Sequence, residues 1–105
     1  MLAGQQFEIG GWVRQLLIAA TQELTRNAVR HGRATRIGIR LRVSEDSVTY
    51  RVEDNGTGFD HRQAVTLGRG LSNLIGRVED MGGSASVVSK LGASVILIQV
   101  PRIVR

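Results

Sequence analysis

The chain has 105 residues, 42% of them hydrophobic and 22% charged, a composition that suits one folded domain and argues against disorder. It contains no cysteine, so disulfides, thiolate metal sites and cysteine nucleophiles are excluded. The net charge of +5 comes from 13 arginines and one lysine, scattered without a basic block or interleaved aromatic residues, so no direct nucleic-acid binding is expected. The longest apolar run, Leu16 to Ala20, is far short of the roughly 20 residues that a membrane-spanning helix needs.

In chain order, "QQFEI" reads as a short edge strand. From Gly11 to His31 the residues Val13, Leu17, Ala20, Leu24, Ala28 and His31 recur at three- and four-residue intervals, the mark of a helix with one buried stripe, and Gly32 offers a stop. "RIGIRLRV" then alternates strictly. It predicts a half-buried strand with Ile37, Ile39, Leu41 and Val43 on the covered face and Arg36, Arg40 and Arg42 on the wet one. "SEDS" makes a turn into a second alternating strand with Val48, Tyr50 and Val52 inward, completing a hairpin. "LSNLIGRVEDMGG" predicts a second amphipathic helix, with Leu71, Leu74, Ile75 and Val78 inward and Gly82 and Gly83 at its end. "SASVVS" and "SVILIQV" follow as two strands, closed by Pro101. The expected architecture is a single α/β domain of the α+β kind over residues 1–105. It is a two-layer sandwich with helices on one face of a mixed, mainly antiparallel sheet.

Some polar groups do not fit a plain core. Asp54 shares the parity of Val48, Tyr50 and Val52, so its carboxylate points to the covered side, where no obvious cation neighbours it. Glu23 and Asn27, four residues apart, share a face of the first helix. Gly56 and Gly58 follow the strand, and Gly68 and Gly70 precede the second helix, where backbone can approach a ligand and a helix start favours phosphate. Each piece alone also reads as an ordinary turn, a solvated helix face or a glycine-rich loop. Their combination in one small domain is the more specific signal.

"QELTRNAVRHG", "DNGTGF" and "GRGLSNL", from Gln22, Asp54 and Gly68 respectively, resemble the N-box and the two glycine boxes of the histidine-kinase-like ATPase family, also called the GHKL or Bergerat fold. The likeness runs from about Gln22 to Pro101 in the family order, and with "RVEDMGG" it looks most like the catalytic domain of sensor histidine kinases of the NarX, DesK and LiaS type. It implies that ATP and Mg2+ are bound, with Asp54 accepting a hydrogen bond from the adenine amino group and Ser94 at the family's adenine-site threonine. Asn27 would hold Mg2+, Glu23 would position or activate the attacking group as the catalytic residue, and Arg30 and His31 would contact phosphate. Gly56 and Gly58 would let the loop pass close to base and ribose, and Gly68 and Gly70 would bring backbone amides to the phosphates. Phe59 and Leu71 count among the nucleotide-contacting positions. The chain departs from the family at two places. Gly92, Ala93 and Ser94 stand where Gly-Gly-Thr or Gly-Thr is usual, and only eight residues separate Phe59 from Gly68, a short lid.

The implied partners are the parent's own dimerisation and phosphoacceptor domain, absent from this chain, and through it a response regulator. The parent is expected to be a homodimer with this domain in the cytoplasm, whether or not it is membrane-anchored. The alternatives from the same fold are an anti-sigma-factor serine kinase and an interaction domain impaired in nucleotide binding.

Overall fold

Gly10 opens the first helix, its carbonyl accepting from Arg14 N at 2.9 Å. A computed structural model describes residues 8–30, 33–56, 70–90 and 93–103. Helix α1, Gly11–Arg30, buries Val13, Leu16, Leu17, Ala20, Leu24 and Ala28, the stripe that the spacing predicts with Leu16 added. His31 lies outside the described residues, as does most of "QQFEI"; its last two residues, Glu8 and Ile9, are not in a strand.

Strands β1, Ile37–Val43, and β2, Ser47–Asp54, form the predicted hairpin, closed by Ser44 N donating to Ser47 O at 2.8 Å. Helix α2 covers Gly70–Asp80, and strands β3, Ser84–Lys90, and β4, Ala93–Pro101, complete the sheet. The strand order is β1-β2-β4-β3 and every pairing among the described residues is antiparallel. Both helices pack on one face. Val13, Leu16 and Leu24 of α1 and Leu71, Leu74 and Val78 of α2 meet Val48, Tyr50 and Val52 of β2 and Ile96, Ile98 and Val100 of β4 in one hydrophobic cluster. Burial of this apolar surface is the main favourable term in folding.

The two glycines after α2 act as the sequence suggests, and for a stated reason. Gly82 has φ +83°, its N–H donates to Glu79 O, and Gly83 N donates to Val78 O, each at 2.9 Å. This is a Schellman stop, in which a left-handed residue satisfies the helix's last carbonyls. The other end of the sandwich is tied by Arg102. Its guanidinium donates to the carbonyls of Glu8 and Glu45, both at 2.7 Å, while its carbonyl accepts from Gly10 N at 3.0 Å. One residue thereby joins the start of α1, the hairpin turn and the end of β4.

The structure also corrects the expected cover over β1. Ile39 and Leu41 do face the helix side, opposite Val52 and Tyr50, but they are 46% and 51% exposed. β1 is the outermost strand, and the helices pack over β2 and β4 instead.

Candidate functional site

The polar residues singled out above gather where α1 and β2 both end and α2 begins. Asp54 closes β2, and the sheet register sets it beside Ser94 of β4 on one side and Ile37 of β1 on the other. Ser94 is only 2% exposed, a buried hydroxyl-bearing residue among apolar neighbours in its strand. Asp54 is half-buried, and its Oδ1 accepts a hydrogen bond from Gly56 N at 2.8 Å. That bond turns the chain immediately after the strand and fixes the carboxylate, leaving Oδ2 without a partner of its own among these bonds. No ion pair to Asp54 occurs among the described residues. Gly56 is itself buried. An open cleft of about 450 Å3 begins at Asp54 and Asn55 and runs past Ile37 and Ile39.

Asn55 carries a role that the sequence reading missed. Its Oδ1 accepts from the backbone N–H of Thr35 at 3.0 Å and Arg36 at 2.9 Å, and its Nδ2 donates to Thr35 Oγ1 at 3.0 Å. Asn55 N also donates to Arg36 O at 3.2 Å, and Ala34 N to Ala28 O at 2.8 Å. The end of α1, the segment leading into β1 and the end of β2 are thus laced together, which holds the helix turn bearing Asn27 at the same end of the sandwich as Asp54. The dipeptide Asn-Gly signals a turn locally, but the partners of Asn55 lie some 20 residues away, so sequence alone shows no sign of the clamp.

Glu23 and Asn27 sit one turn apart on α1, both half-buried, while Leu24 and Ala28 beside them are core. Glu23 forms an ion pair with Arg26 of the same helix. Its carboxylate also lies directly against Gly70, the first residue of α2, so closely that a Cβ added there would overlap Oε1. A larger residue there would require the Glu23 carboxylate to move aside. The Asn27 side chain enters no hydrogen bond among the described residues. Arg30 is exposed in the last turn of α1. Leu71 is 5% exposed and belongs to the core. His31, Gly58, Phe59 and Gly68 lie outside the described residues.

Among the described residues no helix is long and apolar enough to cross a membrane. Residues 13–103 match the family described as "Histidine kinase-, DNA gyrase B-, and HSP90-like ATPase". Over 85 residues, 81% of this chain, it is 32% identical to the sensor protein VraS of Staphylococcus epidermidis, and 29% identical to that of Staphylococcus aureus. It spans 24% of the length of these curated relatives. Among solved structures, the ATP binding domain of PrrB from Mycobacterium tuberculosis aligns with a TM-score of 0.67 at 29% identity, covering 84% of this chain and 68% of that one. The histidine kinase domain of a blue-light activated kinase from Erythrobacter litoralis aligns with a TM-score of 0.72 over 87% of this chain and 48% of that one, at 19% identity, a likeness of fold alone. With the match covering most of its length, the chain belongs to the histidine kinase-, DNA gyrase B- and HSP90-like ATPase family.

Proposed function

We propose that this chain is the ATP-binding catalytic domain of a two-component sensor histidine kinase. It would present the γ-phosphate of ATP to a histidine on a separate dimerisation domain, from which a response regulator takes it. The observation that carries the reading is the pairing of Asp54 with Ser94 in adjacent strands, with Asp54 Oδ1 bonded to the Gly56 amide. A carboxylate held in this way can accept from the exocyclic amine of adenine through its other oxygen, with the buried serine beside it to complete the polar edge of the base site. The relatives named as sensor proteins do not favour the anti-sigma reading.

The residues present fit a magnesium nucleotide. Asn27 offers an amide oxygen with no competing bond among the described residues, and would hold Mg2+, which when bound would neutralise phosphate charge. Gly70 puts backbone at the start of α2, where N–H groups and the helix dipole favour phosphate. Glu23, lying against Gly70, would orient the incoming imidazole and accept its proton. Arg30 would contribute charge toward phosphate, joined by His31, Gly58, Phe59 and Gly68 in the roles that the family motifs give them. The work of the chain on this account is positioning and charge stabilisation, the usual burden of protein in phosphoryl transfer.

Titration of the chain with ATP and Mg2+ in a calorimeter, beside an Asp54→Asn variant matched in folding by circular dichroism, tests the reading. The expected result is binding that the variant weakens at least about tenfold, the scale of one charge-assisted hydrogen bond. A folded chain that binds no nucleotide, or a variant that binds equally well, would overturn it. The chain alone is expected not to label itself with radioactive ATP.

A further inference from the structure

β1 presents an unusual edge. It pairs with β2 through seven consecutive registered positions, from Ile37↔Asp54 to Val43↔Val48, with no bulge and no proline. On its other side it has no strand neighbour among the described residues. Regular open edges of this kind are templates for pairing, and proteins ordinarily blunt them. Ile39 and Leu41, half-exposed on the helix side, leave an apolar strip that no helix covers among the described residues.

The opposite face of the same strand is basic. Arg40 stands directly across from Arg51 of β2, and Arg42 across from Thr49. Like charges opposite each other destabilise a sheet, so this arrangement is costly unless an acid relieves it. Among the described residues Glu53 is the acid beside them, its Oε1 lying 3.1 Å from Arg51 Nε. That contact lacks hydrogen-bond alignment, and the Nε atom is shut off from water without a hydrogen-bond partner. A shallow cleft of about 450 Å3 opens among Arg40, Arg42, Thr49, Arg51 and Leu97.

We propose that the free edge of β1 takes an added strand from a partner protein, with acidic residues at alternate positions and apolar residues between them. Backbone pairing would use the open edge, the apolar side chains would cover Ile39 and Leu41, and the carboxylates would fall beside Arg40 and Arg42, whose planar guanidinium groups suit bidentate pairing. A second copy of this chain fits poorly. Edge-to-edge pairing would set Arg40 and Arg42 against the same arginines and supply no acid. A nucleic acid also fits poorly, since it could pair with the arginines but would leave Ile39 and Leu41 uncovered and the edge amides unpaired. The inference rests on the sheet edge and not on nucleotide binding.

The test uses the whole chain and a fluorescein-labelled short peptide alternating glutamate and valine. Anisotropy should rise on binding, and hydrogen exchange at the amides of residues 37–43 should slow. Arg42→Glu should weaken binding at least about tenfold, and Arg42→Gln by less, with circular dichroism showing both variants folded. No binding, or binding without slower exchange in β1, would overturn the proposal. Equal binding of a lysine–valine peptide or of a short oligothymidylate would overturn it too, as would self-association of the chain through β1 in ultracentrifugation.

Discussion

β1 and β2 are neighbours with the same alternating sequence pattern and opposite fates. Val52 and Tyr50 of β2 are 3% and 4% exposed, while their register partners Ile39 and Leu41 of β1 are about half exposed. Alternation decides which side of the sheet a residue faces, because the side-chain period of a strand is two. Whether that side is covered depends on which strands lie beneath the helices. Among the described residues two helices roof the middle of a four-stranded sheet, and β1 lies beyond their reach.

The sharpest way to break this comparison is to truncate one apolar residue under the helices and one beyond them. Ile98 of β4 is 1% exposed, and Ile98→Ala should cost about 2–5 kcal/mol, read as a fall in the midpoint of urea unfolding. A smaller effect is expected from Tyr50→Phe. It keeps the ring in the core but removes the hydrogen bond between Tyr50 Oη and Thr21 Oγ1, and should lower stability by about 0.5–1.5 kcal/mol in the same assay. Ile39→Thr, on the open edge and compatible with a strand, should change stability within about 0.5 kcal/mol. If Ile39→Thr proved as costly as Ile98→Ala, β1 would have to be covered in solution, and the distinction between the two strands would fall.

A related contrast separates the parts of the candidate site that could be read in the chain from those that could not. Asp54, Glu23, Asn27 and the glycines were legible because their types and spacings depart from what a core stripe or a solvated face requires. Gly82 and Gly83 were legible as a stop, since a left-handed residue after a helix is nearly always glycine. Arg33 carried no such mark. It follows α1 with φ +54°, in the left-handed region where a side chain is disfavoured, and local sequence predicts no strain at an arginine. The clamps made by Asn55 and Arg102 were also invisible, because each bonds to backbone groups brought near by the fold and not by sequence proximity.

By itself, then, the sequence determined the types of the two helices and four strands described, the inward face of both helices and of the first hairpin, and the identity of the polar groups that have no place in a plain core. These follow from local periodicity and local chemistry, which act over a few residues. Only the tertiary structure decided that β1 would be the open edge, that Asp54 would stand beside Ser94, and that Glu23 would rest against the first residue of α2. Each of those facts depends on how strands order and helices pack across long stretches of chain, where close packing of the whole core selects one arrangement among several with the same local pattern.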